Sequence, residues 1–309
     1  MSSEKAALMK KNGKRSEKRP ENTKKKNYIT LEMQNEASEV RSSQMTPHHK
    51  WCLDIFNAVL TGYFFVTTVT LAAITPTTEQ RYSMPLYSNF AAARPMAPSY
   101  KDWEQHSHVV THFAISYLSL IYNGTGFFKH FLSCTWVRTF LHIQIEDGHN
   151  RARAIEYFFS YGIMHVQVAW ICGVLDLHML CAIFGIVSAV IILGYFAQWH
   201  NSSKKRSAEG GHAESLCLGA YLYSIQWTIV TSYLFYSYQH TEAAPPFVVI
   251  AWAFLTALDG ITCVVIYGQL HKIGFFRDAF ACEACYLVLG FLNKACITWI
   301  VYGGIQQLS

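Results

Sequence analysis

The sequence predicts an all-α bundle of seven membrane-spanning helices, with a cytoplasmic N-terminus and a long loop after the first helix. Three observations predict it. Only 15% of the 309 residues are charged while 51% are apolar, whereas about a quarter of a soluble domain is charged. The apolar residues gather into seven windows of roughly 20 residues, the length that crosses a hydrocarbon layer. Basic residues, finally, fall unevenly on alternate connections between those windows.

The mean hydropathy of +0.15 averages two unlike parts. Residues 1–50 hold twelve Lys/Arg and six Asp/Glu and almost no aromatic residues. Such a segment cannot bury enough apolar surface to offset its chain entropy, so a disordered basic cytoplasmic tail is expected. Residues 51–309 are expected to form the membrane domain. Nothing before Trp51 has the apolar core of a cleavable signal peptide, so the first span is expected to act as its own membrane signal. The tail reads as a solvated topology determinant; contact with anionic lipid is the sharper alternative.

The spans are expected at about 51–74, 107–128, 152–174, 177–197, 215–237, 247–270 and 284–304. Pro76, Pro85, Pro95 and Pro98 mark residues 75–106 as a long structured loop rather than helix, with room for a small outer hairpin. Asp176 is placed to cap the fourth span. Pro245 and Pro246 open the sixth, where a missing N–H costs nothing. Most of the nine cysteines, including Cys172, Cys181, Cys263 and Cys296, sit in apolar runs as ordinary buried thiols. Cys282 and Cys285 form one CxxC, which lacks the second half of a zinc site.

Counting Lys/Arg on alternate sides gives 21 on the side of the tail and three on the other. The larger set includes Lys129, Arg138, Arg151 and Arg153, assigned to a 129–153 connection. The smaller is Arg81, Arg94 and Lys101. This asymmetry predicts a cytoplasmic N-terminus and an outside C-terminus. Asn201-Ser202-Ser203 is a glycosylation sequon by pattern, but it falls on the cytoplasmic side and is expected to stay unused.

Charges inside the spans are few, and each is costly near the bilayer centre, by about 2.5–3.5 kcal/mol on insertion scales. The candidates are Glu156, Asp259 and Lys294, with Asp54 nearer a helix end. Lys294 lies too deep to snorkel easily to either interface. A sequestered amine there can attack an aldehyde; the plainer reading is a lysine ion-paired with a helix neighbour. Gly290 lies one turn before it and Thr298 one turn after. Arg153, Glu156, Tyr157, Ser160 and Met164 share one face of the third span by i+3 and i+4 spacing. Glu156 could balance a cation on another helix, or simply pair with Arg153. Asp259 could be a second counterion, a proton relay or an ion-path residue, or a protonated acid bonded to a neighbouring hydroxyl. His165 reads as a packing or interhelical hydrogen-bonding residue. Tyr157, Trp170, Trp227, Trp252 and Phe254 could line an elongated cavity, although core or lipid packing explains each.

The segment Asn150-Arg151-Ala152-Arg153-Ala154-Ile155-Glu156-Tyr157 resembles the third-helix signature of the heliorhodopsin family. Asp176-Leu177-His178-Met179-Leu180 with Phe184-Gly185 resembles the start of its fourth helix. Gly274-Phe275-Phe276-Arg277-Asp278, then Glu283, Tyr286, Lys294, Trp299 and Gly303, resembles the run into and along its seventh. Order and spacing hold across roughly residues 145–305, and the long first loop and inverted orientation also fit. The resemblance implies a rhodopsin-like bundle carrying all-trans retinal as a protonated Schiff base on Lys294, with Glu156 as counterion. It places Arg153, Tyr157, Ser160, Met164, Trp227 and Gly290 about the chromophore, and implies a homodimer in the lipid bilayer with no nucleic-acid partner. Departures are Gly290, where the family usually has serine; Gln226, near its usual proline; and Gly260, with Asp259 beside it, at its usual asparagine. The family's proton-accepting histidines have no counterpart in the first two predicted spans, where Phe64 falls near one such position.

Three functions follow. The first is a photosensor that is not an enzyme, its signalling partner not named by the sequence. The second is light-gated or light-driven ion or proton transport, motivated by Asp259 and the altered proton-acceptor region. The third is a seven-helix scaffold in which Lys294 is merely paired.

Overall fold

The structure, a computed structural model, describes residues 45–93, 103–201, 211–240 and 244–307. These belong to one compact unit. The expected disordered tail lies, up to residue 44, outside the described residues.

Eight α-helices are present among the described residues. They are α1 (Pro47–Tyr82), α2 (Ser116–Cys134), the short α3 (Arg138–Glu146), α4 (Arg151–Ile171), α5 (Leu177–His200), α6 (Gly211–His240), α7 (Pro246–Leu270) and α8 (Ala279–Gln307). Four of them, α1 over Pro47–Thr75, α5, α7 and α8, are long and apolar enough to cross a membrane on length and composition alone. The other three long helices, α2, α4 and α6, carry more polar residues along their length, because they supply much of the polar interior described below.

Helix starts follow local chemistry. Pro47 opens α1 behind Thr46, whose hydroxyl accepts from His49 N at 3.2 Å. The helix therefore begins four residues before the expected boundary at residue 51. Asn150 caps α4 by accepting from Arg153 N at 2.9 Å. Asp176 caps α5 by accepting from Met179 N at 2.9 Å, as its position predicts.

The connection after the first span differs from expectation at both ends. α1 continues to Tyr82, past Pro76. Strands β1 (Ser83–Ala93) and β2 (Trp103–Ala114) then pair antiparallel, with a bulge between Leu86 and Tyr87. Residues 107–114, expected as the start of the second span, are strand; Val109, Val110 and Thr111 are β-branched and favour it. The second helix starts instead at Ser116 and runs through Lys129 to Cys134. Lys129 is consequently not a loop cation: it is a buried residue of α2.

α4 packs against α2, α5 and α7, while α8 packs against α7, α1 and α2, so α4 and α8 face each other across the bundle interior. Burial departs from that of a soluble domain in its apolar exterior and in the charges within its core. Phe56, Val59, Val66 and Val69 of α1 and Ile250, Ile261 and Val264 of α7 face outward. Lys294, Glu156, Arg153, Glu283, Asp259, His165, Gln167 and Gln226 are all buried. An apolar exterior over a core that mixes apolar side chains with paired polar ones suits hydrocarbon as solvent, where charged groups turn inward and pair.

Candidate functional site

Lys294 sits near the middle of α8, 1% exposed, and its Nζ lies 2.8 Å from Glu156 Oε1 of α4. The two side chains form a buried ion pair. The partner is thus on a neighbouring helix, α4, rather than on α8 itself. Aromatic faces enclose the amine, with the ring centroids of Tyr157, Phe64 and Tyr161 at 5.1, 5.7 and 5.9 Å. Such faces stabilise a cation and exclude water. One turn along, the Thr298 hydroxyl accepts from Asn123 Nδ2 at 2.8 Å and lies 2.9 Å from Tyr122 OH.

A local Arg153–Glu156 pair does not form. Arg153 instead donates through Nη1 to Glu283 of α8 and through Nη2 to Gln198 Oε1 at 2.8 Å, with its guanidinium 3.7 Å over the Tyr286 ring. Glu283 also accepts from Asn150 Nδ2 at 2.7 Å. The fork of donors on Arg153 is satisfied by acceptors on two other helices, which one carboxylate a turn away could not match. Glu156 is thereby left to Lys294. Sequence reading used Glu283 only as part of a motif; a carboxylate one turn into an apolar helix, opposite a buried arginine, was its available signal.

The remaining predicted residues separate into three groups. Tyr157 donates from its hydroxyl to the Tyr286 carbonyl at 2.8 Å and fills the space beside Gly290, where an added Cβ would meet that hydroxyl at 2.5 Å. Ser160 is fully buried with an unpartnered hydroxyl on the Glu156 face of α4. Met164 and Trp227 are core residues; the Trp227 ring stands edge-on to His165 at 5.6 Å.

Asp259 pairs with His165 Nε2 at 2.8 Å, and the Tyr223 hydroxyl lies against the same carboxyl group. The two helices carrying His165 and Asp259, α4 and α7, are in contact. His165 is the interhelical hydrogen-bonding residue it was expected to be. It lies half a turn round α4 from Glu156, so α4 carries two buried ionisable sites on opposite faces.

A cavity of about 90 Å³ lies between α4, α5, α6 and α7, lined by Tyr157, Tyr161, His165, Tyr223, Gln226 and Asp259 among others. Of the five aromatic residues expected to line an elongated cavity, Tyr157 lines this one, while Trp227 and Trp170 line two separate pockets. Trp170 stacks on Phe113 of β2 at 6.0 Å, and Trp252 donates to Thr231 at 3.2 Å.

Extension of α2 past residue 128 exposes a further omission. His130 is buried, donates from Nδ1 to Asn57 Oδ1 of α1 at 2.8 Å, and stacks on Phe64 at 5.5 Å. Phe64 in turn borders Lys294. Sequence reading ended the span two residues too early to see it. Among the described residues no cluster of His, Cys, Asp or Glu could hold a metal, and Cys282 and Cys285 are free thiols.

The side chains around Lys294, an enclosed amine with a carboxylate at 2.8 Å and aromatic faces about it, are compatible with the retinal that the resemblance implies. A search of curated proteins returns no match. The family model described as Heliorhodopsin matches residues 53–306, and the chain belongs to the heliorhodopsin family.

Proposed function

We propose that this integral membrane protein is a light sensor in which Lys294 carries retinal and Glu156 is the counterion. Bound to that amine as a Schiff base, retinal supplies light absorption and isomerisation. The observation that carries the reading is the Lys294–Glu156 approach of 2.8 Å in a closed interior. Glu156 supplies the negative charge that a cationic nitrogen on Lys294 needs in a low-dielectric site. Tyr157, Tyr161 and Phe64 keep water from the nitrogen. Arg153, held by Glu283, does not neutralise Glu156. His130 is the candidate acceptor for a proton leaving this region, with Phe64 standing between it and Lys294.

In this reading all seven long helices cross the bilayer, the N-terminus is cytoplasmic and the C-terminus outside. The Lys/Arg asymmetry survives the transfer of Lys129 into α2 and supports that orientation. The protein is proposed to act as a homodimer in lipid, with a downstream partner rather than a turned-over substrate.

The test is a visible spectrum of the full chain reconstituted with all-trans retinal. Lys294→Ala is expected to give no visible chromophore, and Glu156→Gln a red-shifted band. An unchanged spectrum in Glu156→Gln removes that residue from the counterion role. No visible band in folded wild-type protein leaves the scaffold reading, in which Lys294 and Glu156 are only a structural pair.

A second reading, light-driven or light-gated transport, is favoured by the buried Asp259–His165 pair beside the cavity. Light-evoked currents under voltage clamp, lost in Asp259→Asn, would support it.

A further inference from the structure

His165 Nδ1 lies 2.8 Å from the backbone carbonyl oxygen of Tyr161. A carbonyl oxygen can only accept, so Nδ1 carries a hydrogen and donates it. On the other side of the ring, Nε2 lies 2.8 Å from Asp259 Oδ2. A bare Nε2 facing a bare carboxylate oxygen would set two acceptors against each other. One further proton therefore sits between them, either on Nε2, giving imidazolium and carboxylate, or on Oδ2, giving neutral imidazole and carboxylic acid. Both arrangements have the same net charge, which is what a buried site without an outside counterion tolerates.

The second oxygen of Asp259, Oδ1, is buried and without a hydrogen-bond partner. So are both polar atoms of the Gln226 amide, whose residue is 1% exposed, and the buried Tyr223 hydroxyl lies beside Asp259. Asp259, Tyr223 and Gln226 come from α6 and α7 and line the same cavity as His165. Three side chains thus offer acceptors and donors toward one space, and burying such groups without enough partners is unfavourable. The cavity of about 90 Å³ has room for water, which needs two to four polar partners to stay in place.

We infer that His165 and Asp259 form a second proton-holding site, distinct from the Lys294–Glu156 pair, reached through a small water-binding pocket made by Asp259 Oδ1, Tyr223 and Gln226. A proton passing from Nε2 to Oδ2 breaks one N–H bond, forms one O–H bond and leaves the site neutral overall. Tyr161 links this site to the lysine's surroundings: its carbonyl holds His165, its hydroxyl accepts from Asn293 Nδ2 at 2.6 Å, and Asn293 precedes Lys294.

The inference concerns the protein's own protons, so it is tested on the full chain in lipid without retinal, and its outcome is independent of the photosensor reading. Nitrogen NMR of histidine-labelled protein, assigned with His165→Gln, reads the ring, and infrared spectroscopy, assigned with Asp259→Asn, reads the acid. The expected result is a protonated Nδ1 together with either a protonated Nε2 or a carboxylic C=O band from Asp259. Asp259→Asn should lose that imidazolium signal or that band. Magnetisation transfer from water to the His165 ring is expected in the wild type and should fall several-fold in Gln226→Leu. A His165 ring protonated on Nε2 alone, facing a carboxylate, overturns the proton-holding site. Absence of water transfer in the wild type overturns the pocket. Both readings are made on the wild-type protein, so they stand even where a variant fails to fold.

Discussion

Arg153 donates to Glu283 on α8, while Glu156, one turn further along α4, faces Lys294 on that same helix. The α4–α8 interface is therefore crossed by two ion pairs of opposite sense, with α8 giving the anion in one and the cation in the other. The partners are separated by three residues on α4, about 4.5 Å of rise, and by eleven on α8, about 16 Å. The long stems of Arg153 and Lys294 take up that difference. Exchange of partners would set Arg153 against Glu156 and leave Lys294 and Glu283 too far apart to meet, so the pairing is fixed by geometry as much as by charge.

The two pairs should answer differently to loss of their anion. Glu283→Gln leaves the Arg153 charge buried against Gln198 and the Tyr286 ring, which should destabilise the fold by about 3–5 kcal/mol. Thermal unfolding in detergent or lipid reads that loss. The same change should move the visible band of the retinal-loaded protein much less than Glu156→Gln does. Equal spectral shifts in the two variants would show that Arg153 does not keep Glu283 out of the counterion role.

Gly290 lies against the Tyr157 hydroxyl, which leaves no room for a side chain. That hydroxyl would sit 2.5 Å from an added Cβ while donating to the Tyr286 carbonyl. Gly290→Ser should therefore push Tyr157 off Tyr286 and destabilise by about 1–3 kcal/mol, the usual cost of overpacking. Tyr157→Phe in the same chain removes the clashing oxygen, so the double variant should lose less stability than the sum of the two single ones. Additive losses in the unfolding temperatures would mean the two sites do not touch.

The features legible in the sequence are those carried by composition and periodicity. Lys294, Glu156 and Asp259 stood out because each breaks an apolar run, and Asp176 because it precedes one. Pairing was not legible, because it depends on which helices meet. Arg153 had Glu156 within reach along its own helix, and only packing of α4 on α8 reveals Glu283 as the better partner. His165 and Asp259 are 94 residues apart and were read separately for the same reason. Lys129 and His130 were misplaced for a different one. Averaging over a window ended the second span at residue 128, whereas interior-facing polar residues lower the hydropathy of α2 without ending the helix.

Asn201 supplies a test of orientation. Its side-chain amide donates to the Leu270 carbonyl at 2.8 Å, at the end of α5 that should be cytoplasmic. Expression in eukaryotic cells is expected to leave it unmodified, with no change in electrophoretic mobility on glycosidase treatment. A glycosidase-sensitive shift that disappears in Asn201→Gln would reverse the proposed topology.

Asp176 ties the hairpin to the start of α5 and should make that junction acid-labile. Its carboxylate accepts from Met179 N at 2.9 Å and, through the other oxygen, from Asn89 N at 3.1 Å and Asn89 Nδ2 at 2.8 Å. Partial burial pushes this carboxyl up, but the backbone N–H groups of Met179 and Asn89, with His178 nearby and the Asn89 amide, together hold it below its ordinary value. A carboxyl depressed in the folded state contributes stability that is fully present above the unfolded value of about 3.9 and is lost as the pH falls through the folded value. The wild-type unfolding temperature should thus drop below about pH 4. Asp176→Asn keeps an oxygen for Met179 N but cannot titrate, so it should start lower and lose less over the same range. Asp176→Ala removes the cap altogether and should cost about 0.5–2 kcal/mol at neutral pH. Parallel acid profiles for wild type and Asp176→Asn would show that the acid sensitivity arises elsewhere in the protein.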